Sequence, residues 1–267
     1  MGPTEWVPSG IDVERPSGAR VYDYLLGGGH NFQADRRMVE QLLVVHPDLP
    51  LIVQANRAFL RRVVRFLVKA GVRQFLDIGS GIPTEGHVHE IAQGIAPDAR
   101  VIYVDIDPVA VAHTRQILNG NNRSAVIQED IRRPEEILDA PEVWHLFELA
   151  RPVAVLAMAV LHHLSDADDP ANLVSRLTAP LVGGSYLAIS HGTEDGLHSR
   201  AVGPDIYRRG GMELTSRNRT QVEALFKGWD LVEPGVVWVP EWHPEWPPDP
   251  QRWPDTSGLY GGVARKP

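Results

Sequence analysis

Three acidic residues each stand at the end of a short apolar run that predicts a β-strand: Asp77, Asp105 and Asp130. Parallel strands in a doubly wound sheet point their carboxyl ends at one edge, so we expect these carboxylates to meet at one ligand site. A carboxylate after the second strand accepts hydrogen bonds from ribose hydroxyls, which is the contact expected of Asp105. Asp107 is instead expected to cap the helix that begins directly after it. Asp130 is a candidate to accept from an adenine amino group, with Ile131 packing on the ring. Taken singly, each acid also fits a helix cap or a solvated loop, but their order and spacing favour a nucleoside-type ligand.

The first acid belongs to a glycine-rich turn, FLDIGSGIPT over residues 75–84. Glycines at 79 and 81 let the backbone approach a ligand, and the helix that follows offers free N–H groups. The dinucleotide pattern needs a third glycine where Thr84 stands. Asp77 would also repel a pyrophosphate and attract an ammonium group. A cationic or zwitterionic ligand is therefore favoured over a diphosphate, and an NAD-dependent dehydrogenase is the weaker alternative.

Histidines follow the fourth predicted strand, in the segment AVLHHL over residues 159–164. His162 or His163 is a candidate for a general base or for a group that orients a second substrate. The alternative is that one ring is packed and the other solvated. His191, after the fifth strand, is a weaker candidate. Neither this pair nor the pair at 87 and 89 has a third ligand at a recognisable interval, so no metal site is expected.

Short apolar runs alternate with helical patterns through the middle of the chain, which predicts parallel strands joined by right-handed helical crossovers. Two helical patterns precede them, over residues 35–46 and 51–70. Two late strands joined by a Trp/Pro-rich loop predict a hairpin, so the sheet should be antiparallel at that edge. The strands are predicted at 74–78, 100–104, 124–128, 152–158, 185–190, 230–239 and 258–265, and the later helices at 85–94, 109–118, 141–150, 169–181 and 221–227.

The composition indicates a globular protein. The chain has 267 residues, 43% of them hydrophobic and 22% charged, with no cysteine and a net charge of −8. Disulfides and thiolate chemistry are excluded, and no apolar run approaches the ~20 residues of a membrane span. No signal peptide is recognisable, so a cytoplasmic location is expected. The acidic total disfavours nucleic acid as a partner, and membrane association is not expected.

The basic residues are concentrated near the N-terminus. Residues 15–73 hold ten Arg and Lys against four Asp and Glu. This pattern is typical of solvated helix faces. The alternative is an Arg-rich cap that faces the acidic residues of the strand ends.

The segment 75–81 and the acids at 105 and 130 resemble the first three motifs of class I S-adenosyl-L-methionine (SAM) methyltransferases. This resemblance covers residues 72–191. Segments at 17–28, 56–57, 74–84 and 159–163 resemble a narrower actinobacterial family of methyltransferases whose substrates are not established. The resemblance implies that the methionine end of SAM is held by Asp77, Gly79 and Gly81, the ribose by Asp105, and the adenine by Asp130 with Ile131. The adjoining cofactor-binding residues are Ser80, Ile106 and Ala159.

The resemblance also implies an architecture. It is an α/β fold with a Rossmann-like, doubly wound, seven-stranded sheet and an antiparallel last strand. Residues 1–71 would form an N-terminal helical cap over the cofactor site, and residues 72–267 would form the SAM-binding domain. The two parts would together form one compact unit. Many class I enzymes have glycine or another small residue near the position of Pro83. A proline there departs from this pattern, but it suits the first turn of a helix.

Pre-sheet helices cover the cofactor in many enzymes of this fold, which gives the segment RVYDYLLGGGHNF over residues 20–32 a possible role. Arg20 would pair with the methionine carboxylate, and Tyr22 or Asn31 would line the pocket. The three consecutive glycines at 27–29 suit a flexible lid or an ordinary turn. The arginines at 208, 209, 217 and 219 are expected at the surface.

The predicted activity is transfer of the methyl group of SAM to a small-molecule acceptor by in-line displacement, leaving S-adenosyl-L-homocysteine (SAH). Enzymes that methylate amino groups of nucleic acids carry an Asn/Asp-Pro-Pro-aromatic tetrad after the fourth strand, and this chain has none there; WPPD at 246–249 does not match. The alternative function is a SAM-binding sensor without catalysis. The sequence leaves the acceptor and the oligomeric state open.

Overall fold

A computed structural model describes residues 11–83, 86–196, 202–245 and 257–267, without the side chains of 202–204. One mixed sheet dominates these residues, in the order β3-β2-β1-β4-β5-β8-β6, with β7 also paired to β8. The first five strands are parallel, and β8 runs antiparallel to β5, β6 and β7. The strands are β1 (Gln74–Ile78), β2 (Arg100–Asp105), β3 (Ser124–Gln128), β4 (Ala154–Met158), β5 (Tyr186–Gly192), β6 (Asp230–Leu231), β7 (Val237–Trp238) and β8 (Leu259–Arg265).

The α/β class, the parallel strand–helix units and the antiparallel last strand are thus confirmed. Every residue of β1 is buried, as expected for a central strand with both faces covered. In the register of the sheet, Asp77 lies beside Tyr103 of β2 and Leu156 of β4. The most polar residue of this apolar strand is therefore held at the centre of the sheet, near its carboxyl edge.

Helices precede the sheet and cover both of its faces. They are α1 (Gly18–Leu25), α2 (Gln33–Val45), α3 (Leu49–Lys69), α4 (Val88–Ile95), α5 (Pro108–Ile117), α6 (Pro134–Leu138), α7 (Pro141–Leu146), α8 (Pro170–Thr178), α9 (Val202–Arg209) and α10 (Arg219–Ala224). Within the described part of the chain, none of them has the length and apolar character needed to cross a membrane.

The N-terminal helices belong to the core of the protein. In α3 the apolar positions that recur every three or four residues, such as Phe59, Val63 and Leu67, are fully buried in the cluster that covers one face of the sheet. The helices α1 and α2 form a smaller cluster with Ile206 of α9. The segment before the sheet is therefore packed on the residues that follow it.

The structure differs from the sequence prediction in its late strands and in some of its helices. The single strand predicted over 230–239 is interrupted, so the described residues contain eight strands where seven were expected. Pro234 has no N–H to donate to a ladder, and Gly235 turns the chain with a φ of 84°. Both fragments pair with β8, at Leu231 and at Val237. In addition, α9 forms inside a stretch of predominantly polar sequence that predicted no helix.

Candidate functional site

A cavity of about 1110 Å³ opens at the carboxyl edge of the parallel strands. Its floor consists of the residues that follow β1, β2, β3 and β4. Its other walls come from α1, from the turn between α2 and α3, from the first half of α3, and from the segment between α9 and α10. Of the predicted cofactor-binding residues, the cavity is lined by Asp77, Gly79, Ser80, Gly81, Asp105, Ile106, Asp130, Ile131, Ala159, Arg20 and Tyr22.

The turn after β1 depends on two glycines in the left-handed region. Gly79 has a φ of 65° and Gly81 a φ of 68°. A Cβ on Gly79 would lie 2.4 Å from Cγ2 of Val160, whereas one on Gly81 would meet no atom within 4 Å. The N–H of Gly81 donates to Oδ2 of Asp105 at 2.7 Å. The turn after β1 is thereby joined to the end of β2.

Asp77 is a buried carboxyl group, 5% exposed, that lines the cavity. Burial raises its pKa to about 7; the cation of Arg57 opposes this shift, and the carboxyl of Asp105 adds to it. A buried carboxylate is stabilised by a cation placed against it. This position therefore favours a ligand that carries an ammonium group.

Asp105 is buried beside the glycine turn. Its Oδ1 accepts from the N–H of Asp107 at 2.8 Å, while Oδ2 accepts from Gly81. Burial raises its pKa to about 6, and these backbone N–H groups act in the opposite direction. Each carboxylate oxygen can accept a second hydrogen bond, so Asp105 keeps capacity for ligand hydroxyls. Asp107 caps α5, as predicted, by accepting from the N–H of Val109 at 2.8 Å.

The end of β3 contributes a polar residue and an apolar one. Asp130 accepts from the N–H of Arg132 at 2.9 Å, and its side chain is 23% exposed. Ile131 is buried. Ile106, which directly follows β2, lines the cavity and is 62% exposed, unusually high for a large apolar side chain. The two isoleucines provide apolar surface of the kind that a flat ring requires.

The end of β4 is tied to the N-terminal helices. Ala159 has a φ of 53°, a conformation that L-residues rarely adopt, and its N–H donates to Oγ of Ser190 at 3.0 Å. That hydroxyl donates to Oδ1 of Asn56 at 2.6 Å, and Nδ2 of Asn56 donates to the Tyr22 hydroxyl at 3.0 Å. This chain of hydrogen bonds holds the strand end in its strained conformation.

His162 and His163 both line the cavity, but their rings are not equivalent. Nδ1 of His162 accepts from the N–H of Gly192 at 3.1 Å, so its lone pair is already engaged. Nδ1 of His163 lies 3.3 Å from the carbonyl oxygen of Glu213, which can only accept. The neutral His163 ring therefore carries its free lone pair on Nε2. Burial lowers the pKa of both histidines, which keeps the rings neutral at pH 7.

The structure does not bring Asn31 to the cavity, which corrects the sequence prediction. Its amide donates to the buried carboxylate of Asp23 and to the carbonyl of Gly28, both at 2.9 Å. A Cβ on Gly28 would lie 2.0 Å from Oδ1 of Asp23. The three glycines at 27–29 therefore form a tight turn around the carboxylate of Asp23. They do not line the cavity, so the structure does not support their interpretation as a lid.

Arg20 reaches the cavity but is engaged by other groups. Its Nε donates to both carboxylate oxygens of Asp35, at 3.1 and 3.2 Å, and Asp107 lies 3.9 Å from the guanidinium. A guanidinium bound by two carboxylates is a poor partner for the carboxylate of a ligand. The expected pairing of Arg20 with a methionine carboxylate is therefore not supported.

Arg217 lies in a different environment from the one predicted. It was expected at the surface but is 4% exposed, and it donates to the carbonyls of Leu161 and Leu164 and to Nε2 of His191. It thereby supports the segment that carries the cavity histidines. His191 is fully buried, does not line the cavity, and has a pKa lowered by burial to about 4. Arg208, Arg209 and Arg219 are exposed as expected.

The other histidine pair lies behind the glycine turn. The rings of His87 and His89 stack with centroids 5.5 Å apart, and Nδ1 of His89 lies 2.7 Å from the hydroxyl of Tyr103. Across residues 11–83, 86–196, 202–245 and 257–267, no three His, Asp or Glu side chains are grouped as metal ligands. Thr84 and residues 246–249 lie outside these ranges.

Arg57 is a cavity residue to which the sequence assigned no role. It lines the cavity, and its charge lowers the pKa of Asp77. One feature of the sequence could have indicated a role for Arg57, because this residue belongs to the 56–57 segment that resembles a methyltransferase family. Its neighbour Asn56, also without an assigned role, is part of the hydrogen-bond chain to Ala159.

Two solved structures resemble the chain over nearly its whole length. One is a DUF574 family protein from Streptomyces avermitilis, with 40% identity, a TM-score of 0.92, and coverage of 96% of this chain and 99% of that one. The other is a candidate methyltransferase from Thermobifida fusca, with 39% identity, a TM-score of 0.93, and coverage of 98% and 99%.

A more distant likeness concerns the fold alone. The plantazolicin methyltransferase BpumL, solved in complex with SAH, has 12% identity and a TM-score of 0.51 over 93% of this chain and 95% of that one. A comparison with curated proteins found no match. The model of the S-adenosyl methyltransferase family matches residues 4–267. The chain belongs to the S-adenosyl methyltransferase family.

Proposed function

We propose that the cavity binds SAM and that the protein transfers its methyl group to a small-molecule acceptor. The observation that carries this proposal is the convergence of Asp77, Asp105 and Asp130 on one cavity, beside a turn whose two glycines leave the backbone open to a ligand. The hydroxyl of Ser80 also fits a bound ligand, because its oxygen is buried and has no hydrogen-bond partner within the described residues.

In this proposal, the end of each strand binds a different part of the cofactor. Asp77 receives the methionine ammonium and Asp105 the ribose hydroxyls, while Asp130 and the isoleucines at 106 and 131 bind the adenine. Arg57, next to Asp77, takes the role first expected of Arg20 and binds the methionine carboxylate. This assignment places opposite charges together at the methionine end and apolar surface at the adenine end.

SAM supplies an electrophilic methyl group on a sulfonium, and methyl transfer requires that the acceptor atom lie in line with the breaking bond. The contribution of the protein is mainly alignment. The strained end of β4, held by Ser190 and Asn56, fixes the floor where the acceptor and the cofactor meet. His163 can take a proton from the acceptor, whereas His162 can only donate through Nε2 while Gly192 occupies its lone pair.

We also propose that residues 1–71 act as a cap over the cofactor and residues 72–267 as the SAM-binding domain, together forming one compact unit. Contacts from the N-terminal helices to the later residues support this division. Ser17 donates to Asp107, and Asn56 bonds to Ser190. The Arg-rich segment also approaches acids of the later residues: Arg20 lies 3.9 Å from Asp107, and the charge of Arg57 lowers the pKa of Asp77.

Calorimetric titration with SAM, SAH and NAD tests the proposed function. We expect SAM and SAH to bind in the micromolar range and NAD not to bind. NAD binding without SAM binding would support the dehydrogenase alternative and contradict the proposal. SAM binding without methyl transfer to any acceptor would favour the sensor alternative.

Removing the carboxylate of Asp105 is expected to weaken SAM binding. Hydrogen bonds to a charged group contribute about 1.5–3 kcal/mol, so Asp105→Ala should raise the dissociation constant about 10- to 100-fold. Calorimetry measures the change. The matched control is Asp98→Ala, which removes an exposed acid paired with Arg73 outside the cavity. Equal SAM affinity in Asp105→Ala and the parent protein would refute the ribose assignment.

Binding of SAM should strengthen as the pH rises from 6 to 8. The raised pKa of Asp77, about 7, leaves its carboxyl mostly protonated at pH 6 and mostly ionised at pH 8. An ammonium ligand requires the ionised form, so affinity should increase about tenfold over this interval. Asp105, with a pKa of about 6, contributes at most about twofold.

The control for this pH dependence is Asp77→Asn, whose side chain does not titrate. Affinity measured at four pH values should rise less steeply in the variant than in the parent protein. Identical slopes would show that the carboxyl of Asp77 does not titrate on binding.

A further inference from the structure

The cavity has room for a second ligand. Pockets that enclose one drug-sized ligand usually measure about 300–1,000 Å³, and this cavity exceeds that range. The strand-end acids and the glycine turn line only its floor. The rest is a second part, here called the distal chamber, lined by Tyr22, Leu49, Ile52, Met212, Leu214 and Leu259.

The walls of the distal chamber are mainly apolar. Leu49 and Ile52 belong to α3, Leu214 precedes α10, and Leu259 begins β8. Val44, which also lines the cavity, is 82% exposed and adds to this apolar surface. This composition favours a ligand that buries apolar surface over a highly polar one.

The charges around the chamber argue against an anionic ligand. The carboxylates at 48, 194 and 213 line this side of the cavity. The arginines on the cavity lining are engaged elsewhere: Arg15 donates to the carbonyl of Gly211 at 3.0 Å, Arg20 to Asp35, and Arg132 to Asp168 at 2.9 Å. Arg57 lies beside Asp77 on the cofactor floor. The three carboxylates against Arg15 therefore leave the chamber with a net negative charge, which disfavours a phosphate or a carboxylate.

His163 offers the chamber a neutral ring nitrogen that can accept a proton. Nε2 of His163 carries the free lone pair of the neutral ring, and it lies beside Gly18, where a Cβ would approach it to 3.3 Å. Because burial lowers the pKa of His163, the ring is a weak base. A weak base suits a comparatively acidic hydrogen, such as that of an aromatic hydroxyl or ring N–H, better than that of an aliphatic alcohol.

We propose that the methyl acceptor is an uncharged, mainly apolar aromatic molecule that occupies the distal chamber and presents an acidic O–H or ring N–H to Nε2 of His163. This inference rests on the proposed function. The acceptor oxygen or nitrogen forms a bond to the methyl carbon, and the carbon–sulfur bond breaks with its electron pair remaining on sulfur. The acceptor proton passes to Nε2 of His163 and then to water. The products are the methylated acceptor, SAH and one proton.

The test uses the full chain saturated with SAH, so that no turnover occurs, and two probes of similar shape. These are 2-naphthol, which is uncharged, and 2-naphthyl phosphate, which is anionic. We expect 2-naphthol to bind at least tenfold more tightly than the phosphate. Leu214→Glu should weaken 2-naphthol binding at least tenfold without changing SAH affinity. Leu231→Glu, at an exposed leucine outside the cavity, should change neither.

A second measurement addresses the base. With SAM in place of SAH, His163→Gln should slow methylation of 2-naphthol about 100-fold while SAM affinity is retained.

The outcomes separate the two proposals. If SAH binds but 2-naphthol does not, or if the phosphate binds as tightly, the acceptor class is wrong and the proposed function stands. An unchanged affinity for 2-naphthol in Leu214→Glu would also overturn the placement in the distal chamber. If SAH itself does not bind, both proposals fail.

Discussion

Replacing Asp77 with asparagine should weaken SAM binding about 100-fold or more. The substitution keeps the shape of the side chain and removes the one charge that the buried end of β1 can present to an ammonium group. Loss of one partner of a buried, hydrogen-bonded charge pair costs about 2–5 kcal/mol, and about 2.7 kcal/mol corresponds to 100-fold. Calorimetry with SAM measures the loss.

The same variant carries its own control for folding. Burial raises the pKa of Asp77 to about 7, so the ionised carboxyl destabilises the ligand-free protein above that pH. Asp77→Asn should therefore leave the thermal midpoint at pH 8 unchanged or raise it. A lowered midpoint together with weak binding would mean that Asp77 supports the fold. Unchanged SAM affinity would contradict the assignment to the ammonium group.

Gly79→Ala should destabilise the protein more than the same substitution at Gly81, the other glycine of the turn after β1. A φ of 65° costs an L-residue about 1–2 kcal/mol. Overlap of the new Cβ with Val160, 2.4 Å from its Cγ2, adds about 1–3 kcal/mol, giving roughly 3 kcal/mol in total. Urea unfolding of the two proteins measures the difference in free energy of unfolding.

Gly81→Ala is the matched control, because its φ of 68° is nearly the same and a Cβ there meets no atom within 4 Å. It should cost only about 1–2 kcal/mol. Adding Val160→Ala to Gly79→Ala should recover part of the loss, since it removes Cγ2. Equal destabilisation by the two glycine substitutions would show that contact with Val160 contributes nothing.

The sequence predicted the parts of the fold that depend on local pattern. The parallel strands follow from apolar runs, and the carboxylates at their ends meet because parallel strands share one edge. The cap on α5 followed from Asp107 standing before Pro108. The interruption near Pro234 was missed, although a residue without an N–H argues against a continuous strand.

The remaining errors concern pairings between distant residues. Nothing local to Arg20 shows that Asp35 and Asp107 occupy its guanidinium, and nothing local to Asn31 shows that Asp23 binds its amide. The histidines at 162 and 163 are adjacent in sequence, yet the N–H of Gly192 occupies one lone pair and the carbonyl of Glu213 leaves the other free. Such assignments need the tertiary structure.

A crystal structure of the protein with SAH tests the central claim most directly. It should show the SAH amino group within hydrogen-bond distance of the Asp77 carboxylate, the ribose hydroxyls on Asp105, and the adenine between Ile106 and Ile131 near Asp130. SAH bound outside this cavity, or bound within it with no contact to Asp77 and Asp105, would contradict the account.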